Sequence, residues 1–196
     1  MFYVTQDLPK GLFKGSIIPR PIAWVSTVGP DGVTNLAPFS YFQAISDVPP
    51  MIMFVVTSKD AEMNPKDTLV NIRASGEFVV NIVPESAFEM MDLSSERLPY
   101  GESEIDKFGI PTKKSVLIKP PSIAISPINI ECVLSEIMDI KESLRGNKMI
   151  IGKVVGMSVD ESIMEDGRIN VKKLRPMCRL GYHGYSVVEK MIERRL

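Results

Sequence analysis

Short apolar runs and two-residue alternation dominate the chain. Ile22–Val28 (IAWVSTV) is rich in β-branched and aromatic residues, and Gly29-Pro30-Asp31-Gly32 follows it as a turn signal. Val33–Ala37 resumes the strand pattern, so residues 22–37 predict a hairpin. Met51–Thr57 and Phe78–Val83 are apolar runs suited to buried strands. Between Ile128 and Leu134, residues Ile128, Ile130, Cys132 and Leu134 share one face. The alternation loses phase near Glu136, as a bulge would make it do. Met149–Val159 carries Gly152 and Gly156 inside a strand pattern, which predicts bends or a close backbone approach. Asp166-Gly167 is a second turn, and Tyr185–Val188 reads as a last strand.

Helical signals are few. Asp67 stands as a candidate cap ahead of Leu69, Val70 and Ile72, with Ser75-Gly76 as the stop. Pro84-Glu85 can open a second helix, with Phe88 and Met91 at i,i+3 spacing. Residues 92–112 are irregular and polar: a lid, a dimer arm or a plain surface excursion. Six or more strands with one or two helices do not alternate as βα units, which argues against a parallel doubly wound sheet. The pattern predicts one mainly β domain over residues 1–196. Its expected form is a small closed or split barrel of antiparallel strands, with short helices packed outside.

Composition narrows the function classes. Of 196 residues, 44% are hydrophobic and 24% charged, enough apolar material for a real core. A net charge of −1 gives no electrostatic case for nucleic acid or an anionic membrane. Two cysteines, Cys132 and Cys178, form no CxxC, and with one histidine the zinc-finger and HExxH spacings are impossible, so no metal site is expected. Both thiols are expected to be buried or half-buried. The N-terminus lacks a signal-peptide pattern, and the longest strictly apolar run, Met51–Val56, is far short of a membrane span. A cytoplasmic protein is the expectation. There is no GxGxxG, no P-loop and no GxSxG elbow. The lone His183 has no orienting motif and reads as a loop or core histidine.

Two segments are unusual for plain core or surface. In the first, Asn35-Leu36-Ala37 runs into Pro38-Phe39-Ser40. Pro38 has no N–H, so the strand is expected to end at Ala37, leaving backbone groups near Asn35–Ala37 free for a planar ligand, with Asn35 and Ser40 adding polarity. An ordinary Asn/Pro/Ser turn is the competing reading. In the second, a strand ends in Thr57-Ser58-Lys59, and a helix then starts around Lys66-Asp67-Thr68. Hydroxyls, ammonium groups and a helix N-terminus suit a phosphate. Capping by Asp67 with two solvated lysines competes. Together the segments favour a flavin or a similar phosphorylated ring compound.

At this point the chain resembles the flavin reductase-like, FMN-binding split-barrel family, which includes flavoredoxin and the reductase components of two-component monooxygenases. The residues that carry it are Pro19–Thr27, Asn35–Ser40, Lys66–Ile72, Gly76–Asn81 and Arg179–Tyr185, in order across residues 10–189. The resemblance implies a homodimer with FMN at the subunit interface. It implies that Asn35, Leu36, Ala37 and Ser40 face the isoalloxazine ring, and that Thr57, Ser58, Lys59, Lys66 and Thr68 hold the phosphate or ribityl chain. It places Trp24, Ser26 and Thr27 near the ring or its ribityl arm, and His183 at the site mouth. No residue is expected to act as a general acid or base. The implied activity is NAD(P)H-dependent flavin reduction, with NAD(P)H a transient donor passing hydride to flavin N5. The alternative is a flavoredoxin-like electron carrier, reduced by a protein partner; a third is a small-barrel binding protein without flavin. An oxygenase or electron-transfer protein is the partner implied.

Overall fold

The computed structural model describes residues 1–60 and 62–192. Seven strands form one antiparallel sheet: β1 (Ala23–Val28), β2 (Thr34–Phe39), β3 (Phe42–Asp47), β4 (Pro50–Val56), β5 (Glu77–Ile82), β6 (Ile128–Asp139) and β7 (Lys148–Val159). Their spatial order is β2-β1-β5-β6-β7-β4-β3. The two edge strands, β2 and β3, are joined only by Ser40 and Tyr41. A flat sheet of this size would be roughly 29 Å wide at ~4.8 Å per strand. The link spans at most about 11 Å. The sheet therefore has to curl until its edges meet. The Val55 N–H donates to the Tyr41 carbonyl at 2.9 Å and ties down that corner. The mainly β, antiparallel, barrel-like architecture predicted above is present.

The barrel interior is apolar. Phe39, Phe54 and Phe78 form a chain of ring contacts, with centroids 5.1 and 5.5 Å apart. Val25, Ile52, Val80 and Ile150 pack around them, and Leu69 and Ile72 seal one side from a helix. Gly152 is there because Phe78 needs the room: a Cβ on Gly152 would lie 2.4 Å from the Phe78 ring. The predicted loss of phase is a pair of bulges between β6 and β7, which leave Ser135 and Val155 without a direct partner. Both cysteines are buried and free, and burial pushes the Cys132 thiol up to about 12.

A second core covers the outer face of β1. Trp24, Leu36, Met91, Ile105 and Ile123 meet there, with Met177 from the C-terminal segment. Five short helices lie among the described residues: α1 (Leu12–Ser16), α2 (Asp67–Ser75), α3 (Phe88–Leu93), α4 (Glu104–Lys107) and α5 (Val171–Leu174); α3 and α4 pack in this second core. Only α2 and α3 were expected. The other three are too short to show a helical period. A small sheet pairs Arg20–Pro21 with Met177–Arg179, and that strand with Tyr185–Val187. Asp166 and Gly167 form the predicted turn, both with positive φ. No helix among the described residues is long and apolar enough to cross a membrane.

Three sequence expectations need correction. β3 gave no strand signal because half of its residues are exposed and polar or small. Pro38 does not end β2, which runs on to Phe39 with Pro38 opposite Trp24. It is tolerated because β2 is an edge, where a missing N–H breaks no ladder. Asp67 does not cap α2 either. Lys66 is the N-cap residue, without a side-chain cap bond, and Asp67 pairs with Lys59 at 3.7 Å.

Candidate functional site

A groove runs along the barrel corner at Pro38, Phe39 and Ser40. On one side it is walled by Ala37, Lys59, Lys66 and Thr68, and by Ser94–Leu98 from the long polar connection. On the other side lies a cavity of about 240 Å³ lined by Lys14, Arg20, Tyr41, Thr57, Arg179 and Tyr182. A third hollow takes Thr57, Ser58, Lys66, Arg73 and Lys148. Lys66 lines all three, so it stands at their junction.

The chain builds that junction from several elements. Strand β4 ends at Val56 and delivers Thr57 and Ser58. Helix α2 starts one residue after Lys66, whose carbonyl accepts from the Leu69 and Val70 N–H groups at 2.9 and 3.1 Å. The Lys66 backbone therefore stands at the positive end of the helix dipole. Gly76, at φ 70, stops the helix as the sequence predicts. The Lys66 Nζ lies 5.5 Å from the centre of the Phe39 ring. Among the described residues, Lys66 has no carboxylate ion-pair partner. Burial holds its pKa below the usual lysine value, and the nearby Arg97 adds to this while Glu104 opposes it.

A buried polar layer supports the Lys66 side of the groove. The Glu104 Oε2 accepts from the Asn35 Nδ2 and from the Leu36 backbone N–H, both at 2.9 Å. The Thr68 hydroxyl donates to the Asn35 Oδ1 at 2.8 Å. Asn71 donates to the Thr27 hydroxyl at 3.1 Å. Burial pushes the Glu104 carboxyl up, against the pull of these hydrogen bonds. Burial also raises Asp67, with Lys59 opposing.

Of the residues singled out from sequence, Asn35, Ala37, Ser40, Thr57, Ser58, Lys59, Lys66 and Thr68 all line the groove. The Leu36 backbone is not free as expected, because Glu104 takes its N–H, and its side chain is fully buried. Trp24, Ser26 and Thr27 are also fully buried and do not line the groove. Trp24 donates its indole N–H to the Ser94 hydroxyl at 2.9 Å, and Ser26 donates to the Pro121 carbonyl at 2.6 Å. His183 is exposed in the turn before Tyr185 and lines none of the hollows. Sequence reasoning missed Arg97 and Glu104, which lie in the irregular connection and follow no period. It also gave no role to Arg20, although Arg20 is 7% exposed between two prolines, an unusual place for a charge.

A curled antiparallel barrel with a groove at its corner, whose charged lining on the Tyr41 side is cations alone, defines the class of protein. A family model for the flavin reductase-like domain matches residues 15–184, and the chain belongs to that family. A protein of Aquifex aeolicus is 36% identical over 171 residues, 87% of this chain and 85% of its own length. The structure of nitrilotriacetate monooxygenase component B from Bacillus cereus superposes with a TM-score of 0.92 at 34% identity, covering 99% of this chain and 98% of that one. The 2-nitrobenzoate 2-nitroreductase of Pseudomonas fluorescens follows at 0.87 and 30%, covering 100% and 96%. The fold is that of the flavin reductase-like split barrels.

Proposed function

We propose that the protein binds FMN in this groove and acts as an NAD(P)H-dependent flavin reductase. The observation that carries the reading is Lys66: a half-buried cation with no carboxylate partner, at a helix N-terminus and beside hydroxyls. A phosphate monoester supplies what that arrangement lacks. The residues present therefore fit the group. Thr57, Ser58 and Lys66 would hold the phosphate, with Lys59 and Thr68 nearby along the ribityl chain. Asn35, Ala37 and Ser40 would flank the ring.

Bound flavin would supply the redox chemistry, accepting reducing equivalents from a nicotinamide and passing them on. The protein's own part is binding and electrostatics. Lys66, with Lys59 and Arg97 along the same wall, supplies positive charge toward an anionic ligand, offset in part by Asp67, Glu96 and Glu104. The buried Asn35–Thr68–Glu104 bonds hold the wall rigid.

The likeness to a monooxygenase component B supports an oxygenase as the downstream partner. A homodimer is part of the reading. Leu117 packs over Gly156, and it and Val116 are exposed, apolar surface of the kind a second subunit covers.

The test is an anaerobic absorbance spectrum of FMN-loaded protein before and after NADH and then NADPH. Bleaching of the flavin band near ~450 nm is expected. A bound flavin that neither nucleotide bleaches leaves the electron-carrier reading in its place. Absence of FMN binding overturns both. Light scattering should give about twice the 21.8 kDa of one chain.

A further inference from the structure

The cavity on the Tyr41 side of the groove differs from the rest of the site in its charge. Lys14, Arg20, Lys66 and Arg179 all line it, and no carboxylate does. Among the described residues, ion pairs neutralise Lys59, Lys107, Lys148, Lys173 and Arg175, but none of these four. The Lys66 side of the groove is mixed, with Asp67, Glu96 and Glu104 among its cations. With Lys66 given to the flavin phosphate in the reading above, Lys14, Arg20 and Arg179 remain, and a pocket that gathers three unneutralised cations has unmet capacity for a multiply charged anion.

The local chain is built to keep them together. Gly15 of α1 lies against Gly181, where a Cβ would come within 2.6 Å of the Gly15 Cα. That contact brings α1 onto the turn before Tyr185, and Tyr182 packs over Gly11 and Gly15 from a left-handed backbone at φ 58. The Arg20 guanidinium staples the two pieces. It donates to the carbonyls of Lys14 and Ile17 at 2.5 and 2.8 Å and to that of Leu180 at 2.9 Å. Its Nε–H is enclosed and has no acceptor. Arg20 is thus held by dipoles alone, with its charge uncompensated.

Arg179 joins this cavity to a neighbouring hollow lined by Ile22, Met91 and Tyr185. Its guanidinium lies 4.2 Å from the Tyr185 ring centre and donates to the Tyr182 carbonyl at 2.7 Å, so the fork is fixed between the two spaces. A ligand with a charged linker and a planar apolar end matches that pair of hollows. FMN carries a single phosphate monoester, which the reading above gives to Thr57, Ser58 and Lys66, at the edge this cavity shares with the third hollow.

We propose that the Lys14–Arg20–Arg179 cavity is a second phosphate site, and that it receives the pyrophosphate of the nicotinamide dinucleotide donor. This rests on the reductase reading above. A phosphate there has two sources, the donor or the flavin itself, and the test separates them.

The measurement is calorimetric binding of inorganic pyrophosphate and of ADP-ribose to FMN-loaded protein, wild type against the Lys14→Gln/Arg179→Gln double variant. Both residues are partly or fully exposed, so the substitutions leave the core intact. The expected result is binding to wild type that weakens at least tenfold in the variant. FMN affinity should stay within about twofold, and KM for NADH or NADPH should rise at least tenfold with kcat nearly unchanged. If FMN-loaded wild type binds neither probe, the second site is overturned whether or not the protein is a reductase. If the variant loses FMN affinity but keeps riboflavin affinity, the cavity holds the flavin's own phosphate and the donor assignment is overturned. Pyrophosphate binding without bleaching by either nucleotide overturns the reductase reading, and the donor assignment with it.

Discussion

The barrel interior and the wall of the groove solve opposite problems with residues from neighbouring elements. Inside, Val25, Phe54 and Phe78 exclude water and need only shape. On the groove side, Asn35, Thr68 and Glu104 are as deeply buried, yet every contact among them is a hydrogen bond. An apolar core tolerates rearrangement in proportion to volume. A polar wall tolerates only changes that leave no donor or acceptor alone. The two regions should therefore fail differently when altered.

The largest effect is expected inside the barrel. Gly152→Val forces a side chain into the Phe78 ring and the Cys132 Cβ. It should cost about 3 kcal/mol in urea unfolding, through overpacking. FMN affinity of the folded fraction should hold within about twofold, since neither Gly152 nor Phe78 lines the groove. A loss of FMN affinity as large as the loss of stability would erase the distinction between the regions.

Glu104→Ala comes next, at about 2 kcal/mol, because it strands both the Asn35 amide and the Leu36 N–H. Glu104→Gln keeps one oxygen for both donors and should cost far less. It also removes a pH dependence whose sign follows from burial. The folded carboxyl has a pKa above 4.5, so the folded protein holds a proton that the unfolded chain has released. That stabilisation is full below 4.5 and is lost as pH rises through the raised value. Wild type should weaken across that window, and the glutamine variant should lack this contribution. A smaller loss, about 1 kcal/mol, is expected from Ser94→Ala, which leaves the buried Trp24 indole N–H without an acceptor. Denaturant midpoints measure each.

The same contrast explains what could be read from the sequence. Strands with an apolar face, such as Phe78–Ile82 and Ile128–Leu134, announce themselves by period, and the bulge near Glu136 by its break. Thr57, Ser58, Lys66 and Thr68 could be picked out as phosphate-binding candidates because their residue types and proximity in the chain suggest that chemistry, and the structure brings them to one groove. Glu104 was not legible. Its partners, Asn35 and Leu36, lie 69 and 68 positions away, and it sits in a stretch with no period. Trp24, Ser26 and Thr27 were read toward the ligand, and the structure buries them instead: Trp24 in the second core, Ser26 against the Pro121 carbonyl and Thr27 in the polar layer with Asn71. Their strand is buried on both faces, so alternation cannot tell groove from core there. Arg20 and Arg179 come together only because Arg20–Pro21 pairs with Met177–Arg179 across the length of the chain.

Lys66 gives the smallest change in stability and the most informative one. A half-buried ammonium with no carboxylate ion-pair partner among the described residues opposes folding, which is why its pKa lies below 10.5. Between that lowered value and 10.5 the unfolded chain holds a proton that the folded protein has given up, so this contribution to stability rises with pH across the window. Lys66→Met keeps the side-chain stem over Phe39 and removes the charge. It should leave the protein as stable at neutral pH or more so, by less than about 1 kcal/mol. FMN should then bind at least tenfold more weakly, about 1.4 kcal/mol, while riboflavin binds as before. In wild type, FMN affinity should decline as pH climbs toward the lowered lysine value, because the phosphate needs the protonated form. Quenching of flavin fluorescence reads all of these. A variant that gains stability and loses only phosphate recognition would mean that the uncompensated charge is kept for the ligand; equal FMN affinity in the two proteins would remove Lys66 from the site.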